Sequence, residues 1–120
     1  NKVFLEGFVQ NTLEAIKDAE IFVLSSNSEG MPNALIEAMC MKMACISTDV
    51  SSGGARCLIE NHKNGILIPV NDSDKLAEEL QFLIDNNACR EAYSNEAYKI
   101  RNILSKDKII DKWIKYIESI

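Results

Sequence analysis

The chain predicts an α/β fold: a parallel sheet with helices on both faces and a helical C-terminus. Three observations carry that expectation. Short apolar runs alternate with amphipathic stretches from Val3 to Pro69, the order that builds strand–helix–strand units. The runs are continuous rather than polar on every second residue, as in strands covered on both faces. Beyond Pro69 only helical spacing remains. Strands separated by helices imply parallel neighbours joined by right-handed crossovers.

Each element has its own justification. Val3-Phe4-Leu5 predicts a first short strand. Thr12 is placed to cap a helix in which Leu13, Ile16 and Ala19 share a face. Ile21-Phe22-Val23-Leu24 is an apolar run bounded by Ser25-Ser26-Asn27-Ser28, and predicts a strand buried on both sides. Pro32 suits the first turn of the next helix, where its missing N–H is not needed. Ala34, Leu35, Ala38 and Met39 form that helix's core stripe. Ala44-Cys45-Ile46-Ser47 predicts the third strand. Gly53-Gly54 precede an expected short helix ending near Glu60. Asn64-Gly65 signals a turn into a fourth strand, Ile66-Leu67-Ile68, which Pro69 ends.

Asp72 or Ser73 then caps a helix with Leu76, Leu80, Leu83 and Ile84 on one side, and Asn86-Asn87 breaks it. A second helix carries Ala92, Tyr93, Ala97, Ile100 and Leu104. A third starts near Ser105 and shows Ile109, Ile110, Trp113, Ile114 and Ile117. That stripe reads as core or interface rather than as a cofactor box.

Composition narrows the class of function. The 120 residues are 47% hydrophobic and 26% charged, which is the balance of one folded domain with one core. With 13 Lys and Arg against 18 Asp and Glu the net charge is -5, so a nucleic-acid partner held by a basic face is not expected. No apolar run approaches the ~20 residues of a membrane span. Cys40, Cys45, Cys57 and Cys89 form no C-x2-C pair, and His62 is the one histidine. A zinc site is therefore not expected. The cysteines read as buried thiols in a reducing compartment. The chain opens on Asn1 and a strand-like run without a Met or signal-peptide layout, so we expect a piece of a longer protein.

In parallel α/β sheets, ligands bind outside the carboxyl ends of the strands. The loop there with most chemistry is 25–32, followed by Asn33-Ala34-Leu35-Ile36-Glu37. A strand ends, a polar loop with Gly30 follows, and a helix begins. First-turn amides have no partner inside a helix and carry the positive end of its dipole, which suits a phosphate. Glu29 in the loop and Glu37 just over a turn into the helix are strong acceptors, suited to sugar hydroxyls. The same residues also fit a blander part, in which acidic groups complement a helix dipole and the loop Glu sits in water. Spacing by itself decides nothing, since Glu6 and Glu14 form another pair eight apart. Elsewhere His62 reads as a surface loop residue. Arg56 suits a phosphate or plain solvent, and Asp49 suits a cap for the loop after its strand or a place facing the ligand.

The run Glu29-Gly30-Met31-Pro32-Asn33-Ala34-Leu35-Ile36-Glu37-Ala38-Met39 resembles the Glu-x7-Glu signature of retaining nucleotide-sugar glycosyltransferases of the GT-B fold, the family 4 class. The resemblance continues through Val3-Phe4-Leu5-Glu6-Gly7-Phe8, Phe22-Val23-Leu24-Ser25-Ser26, Ile46-Ser47-Thr48-Asp49 with Gly53-Gly54-Ala55-Arg56, and Asn64 to Val70. It implies a Rossmann-like sheet that is part of a C-terminal GT-B half. Residues 1–120 would be its nucleotide-sugar (donor) binding domain, truncated on the N-terminal side. It further implies that Glu29 contacts the donor sugar at the reacting carbon and acts in catalysis, and that Glu37 holds the ribose hydroxyls. The amides of Gly30, Met31, Asn33, Ala34 and Leu35, with Pro32 among them, would line the diphosphate and sugar, and Phe8 and Val9 would lie against the base. No metal or other cofactor is expected beyond the nucleotide-diphosphate-sugar donor. A glycan or lipid-linked acceptor would bind a missing N-terminal half, in a cytoplasmic protein at the inner face of the membrane. A non-catalytic nucleotide-sugar binding or interaction domain is the alternative. Lys42 and Ala44 stand where the family usually has Gly and Pro, and Cys57 where it is commonly acidic. Lys42 makes a left-handed helix end costlier.

Overall fold

A computed structural model describes residues 2–120. In chain order the elements are α1 (Thr12–Ile16), β1 (Ile21–Leu24), α2 (Asn33–Cys40), β2 (Ala44–Thr48), β3 (Ile66–Ile68), α3 (Ser73–Asp85), α4 (Asn87–Tyr98), α5 (Ile100–Ile103) and α6 (Lys106–Glu118). The three strands form one parallel sheet in the order β1-β2-β3, with Ile21 opposite Ala44 and Ile46 opposite Ile66.

Side chains alternate across a strand, and that alternation divides the core. On one face Phe22, Leu24 and Cys45 meet Leu35 and Met39 of α2, Ala97 of α4 and Ile100 of α5. On the other Ile21, Val23, Ala44, Ile46, Ile66 and Ile68 meet Leu76, Leu80 and Leu83 of α3. Helices thus cover both faces, as expected.

Helix ends follow local chemistry. The Asn11 side chain accepts the Glu14 amide at 3.2 Å, and the Asp72 side chain accepts the Lys75 amide at 2.8 Å. At the end of α3 the Arg90 guanidinium donates to the Leu83 carbonyl at 2.8 Å and the Ile84 carbonyl at 3.3 Å. Lys42 closes α2 in the left-handed region, with φ 64°. Its amide donates to the Met39 carbonyl and the Met43 amide to the Ala38 carbonyl, both at 3.1 Å. That is the paired bonding of a Schellman end, achieved without the glycine that fits it best.

Several expectations are corrected. Val3-Phe4-Leu5 forms no strand and lies exposed. A three-residue run needs a ladder partner, and none of the described residues pairs with it. The doubly buried strand is β2 rather than Ile21–Leu24. All five β2 residues are buried because β2 has a neighbour on each side, whereas β1 is an edge and only half-buried. Asn11 rather than Thr12 caps α1, and Pro32 is the N-cap of α2 rather than part of its first turn. After Gly53-Gly54 the chain forms turns instead of a helix, since Gly53 sits at φ 77° and two glycines disfavour a helix nucleus. The helix expected through Leu104 divides at Lys99 into α4 and α5. Of the four free thiols only Cys45 is fully buried. Cys40 and Cys89 are half-buried and Cys57 is exposed.

The apolar stripe of α6 is not core: the helix buries no residue, and Trp113 is 61% exposed. His62 lies on the surface as expected, yet its ring is engaged. Nε2 is 3.5 Å from the Glu79 carboxylate and Nδ1 is 3.3 Å from the Tyr93 hydroxyl. Among the described residues no helix is long and apolar enough to cross a membrane.

Candidate active site

The carboxyl ends of β1, β2 and β3 release the chain at Ser25, Asp49 and Pro69. Between them a cleft of about 240 Å³ is lined by Ser25, Asn27, Thr48, Pro69, Asp72 and their neighbours. A second opening of about 440 Å³ runs along β3 past Asp49, Asn61 and Pro69. Ser25 and Asn27 begin the loop that leads into α2; the later residues of that loop, Glu29 to Pro32, line neither opening.

Glu29 is half-buried in that loop. The Ser26 hydroxyl donates to its carboxylate at 2.6 Å, and the Ser52 hydroxyl donates to its backbone carbonyl. The Thr48 hydroxyl, at the end of the central strand, donates to the Ser26 carbonyl. Gly54 presses against the same loop. A Cβ added there would stand 2.0 Å from the Gly30 carbonyl oxygen and 3.0 Å from Pro32 Cδ. Asp49 and Arg56 pair at 2.9–3.3 Å, two guanidinium nitrogens on one carboxylate. Asp49 thus holds a residue of the loop after its strand, and it raises the Arg56 pKa above its ordinary value, first by hydrogen bonding and then by charge.

The helix following the loop sorts its residues by face. Leu35, Ala38 and Met39 point into the core, while Asn33, Ala34 and Glu37 stay exposed. Asn33 and Glu37 are four apart and therefore share one side of α2. The Asn33 and Ala34 amides precede the first intrahelical bond, and the Pro32 cap offers them no side-chain acceptor. Leu35 differs: its side chain is fully buried and its amide donates to the Pro32 carbonyl at 3.1 Å. Pro32 is buried, and Gly30 and Met31 are exposed in the loop. The structure thus gathers Glu29, Gly30, Met31, Asn33, Ala34 and Glu37 along one loop–helix junction. Phe8 and Val9 lie in the segment ahead of α1. Phe8 is 94% exposed, and neither residue enters a core cluster.

The chain matches the family model described as glycosyl transferases group 1 over residues 1–100. This chain belongs to the group 1 glycosyl transferases. It is 32% identical over 116 residues to a Campylobacter jejuni enzyme, N-acetylgalactosamine-N,N'-diacetylbacillosaminyl-diphospho-undecaprenol 4-alpha-N-acetylgalactosaminyltransferase. That match covers 97% of this chain and 32% of the relative. It is 28% identical to the poly(ribitol-phosphate) alpha-N-acetylglucosaminyltransferase of Staphylococcus aureus, covering 98% of this chain and 24% of the relative. The chain spans about a third or less of the length of these relatives. Among solved structures, HepE from Anabaena in complex with UDP superposes with a TM-score of 0.85 at 20% identity, over 96% of this chain and 32% of that one. At that identity the likeness shows the shared fold. A mutant of S. aureus TarM, in complex with fondaparinux, alpha-GlcNAc-glycerol and UDP, gives a TM-score of 0.83 at 27% identity, over 93% of this chain and 23% of that one. In this group 1 glycosyl transferase chain the loop–helix junction lies at the carboxyl end of the parallel sheet.

Proposed function

We propose that this chain is the donor-binding part of a glycosyltransferase that moves a sugar from a nucleotide-diphosphate sugar to an acceptor with retention at the anomeric carbon. The observation that carries the reading is the junction of Glu29, the free first-turn amides of α2 and Glu37 at the carboxyl ends of a parallel sheet. In this reading the amides of Asn33 and Ala34 hold the diphosphate and, with the helix dipole, stabilise the charge that builds as it leaves. Glu37 accepts hydrogen bonds from the ribose hydroxyls. Glu29 acts on the donor sugar beside the breaking bond. The UDP-bound TarM mutant supports a UDP-sugar as the donor, and the undecaprenol-linked name of the Campylobacter relative supports a lipid-linked acceptor. Such an acceptor would draw the protein to the cytoplasmic face of a membrane. The greater length of the relatives supports acceptor recognition by residues outside this chain.

The test uses the full-length protein. Calorimetry with UDP and UDP-sugars reads donor binding, and NMR of the product reads the anomer. Binding with a retained anomer is expected. Absence of UDP-sugar binding overturns the donor reading, and an inverted product overturns retention.

A further inference from the structure

We infer that the end of β2 and the loop after it, through Thr48, Ser52 and Gly54, form a positioning device for Glu29; this rests on the reading of Glu29 as the group that acts on the donor sugar. Glu29 belongs to an irregular loop, and a loop carboxylate is placed only by what touches it. Its restraints come from the segment after the neighbouring strand. Thr48 is 4% exposed on the central strand, so its hydroxyl is a rigid anchor for the Ser26 carbonyl. Ser26 in turn donates to the Glu29 carboxylate at 2.6 Å. Ser52 donates to the Glu29 backbone carbonyl.

Gly54 sets the distance between the two loops. A Cβ there would lie 2.0 Å from the Gly30 carbonyl oxygen, against the 3.0 Å below which real Cβ contacts essentially never fall. Any side chain at position 54 must therefore displace the residue next to Glu29 by roughly 1 Å. A misplacement of about that size costs on the order of 10²-fold in rate. The glycine pair, whose expected helix does not form, thereby acquires a function. These residues touch no reacting atom in the proposal; they place one that does.

The test compares Gly54→Ala, Ser52→Ala, Ser52→Thr, Glu29→Gln and Gly65→Ala in the full-length protein. Gly65 is the packing control: it is buried just before β3, where a Cβ would lie 3.1 Å from the Cys45 carbonyl, outside the loop–helix junction. The readouts are UDP release from UDP-glucose, UDP-N-acetylglucosamine and UDP-N-acetylgalactosamine, thermal midpoints, and hydrogen exchange over residues 25–31. Gly54→Ala is expected to lower kcat on the order of 10²-fold with little change in donor KM. Ser52→Ala gives a smaller loss that Ser52→Thr restores, and both Gly54→Ala and Ser52→Ala speed exchange over residues 25–31. Gly65→Ala lowers the midpoint and leaves kcat unchanged. The positioning role is overturned if Ser52→Ala keeps wild-type kcat while Glu29→Gln has lost it, or if exchange over the loop stays unchanged; these readouts stand even where Gly54→Ala does not fold. If Glu29→Gln keeps full turnover, the reading of Glu29 itself fails and the device falls with it.

Discussion

At the scale of single residues, Glu29 and Glu37 have opposite settings and should fail differently. Glu37 is exposed on α2 beside Asn33, one turn from the free amides. Glu37→Ala should weaken UDP-sugar binding by about 1.5–3 kcal/mol, the range for a lost hydrogen bond to a charged group, as calorimetry on the full-length protein would read. Glu29 is half-buried and held by Ser26 and Ser52. Glu29→Gln should lower turnover more than affinity, the mark of an interaction made in the transition state, and steady-state kinetics separates the two. Cys45 gives a prediction about pH. Burial pushes its thiol up from 9.0 to about 12. Above pH 9.0 the unfolded chain releases this proton while the folded chain keeps it, so folding stability falls as pH rises from 9.0 toward about 12. Cys45→Ala removes that slope, and urea titrations below and above pH 9.0 should show the gap between variant and wild type narrowing as pH rises. At this scale the sequence marks the two glutamates by their place after a strand and in a helix. It gives no sign that Asp49 and Arg56 neutralise each other, because their pairing depends on how the loop after β2 turns back.

The elements show where local chemistry suffices and where it does not. Asp72 as the cap of α3, the break at Asn86-Asn87 and the start of α6 after Ser105 all follow from short-range preferences, and all are present. The residues of Val3–Leu5 have strand preference and no strand, because a ladder is a property of two segments. The end of α2 carries a testable conflict. Lys42 occupies a Schellman position at φ 64°, and the left-handed region costs a residue with a Cβ roughly 1–2 kcal/mol. Glycine avoids that cost and loses part of the gain to its freer unfolded chain. Lys42→Gly should therefore stabilise the domain by about 1 kcal/mol, read as a higher urea midpoint with an unchanged m-value.

Over the whole molecule, the two core clusters lie on opposite faces of one sheet, and α6 belongs to neither. The molecule measures 57 Å along its long axis against 30 and 29 Å across. Because α6 buries no residue, deleting residues 106–120 should leave the thermal midpoint of this chain nearly unchanged, as circular dichroism would show. A large drop would mean that α6 packs on the domain in solution. The sheet order β1-β2-β3 places the loops after all three strands at one end, so residues as distant in sequence as Ser25, Thr48 and Asp72 line one crevice.

The sequence by itself determined the α/β class, the helical C-terminus and the junction at Glu29 and Glu37. Each of these is written in periodicity, in strand–loop–helix order or in a contiguous motif, all local quantities. Tertiary structure decided which strand is central, and hence that β2 rather than β1 is wholly buried. It also decided that Thr48, Ser52 and Gly54 bear on Glu29. Those contacts join residues more than twenty positions apart, and whether they meet depends on the register between β1 and β2, which belongs to the pair of strands and to neither segment alone.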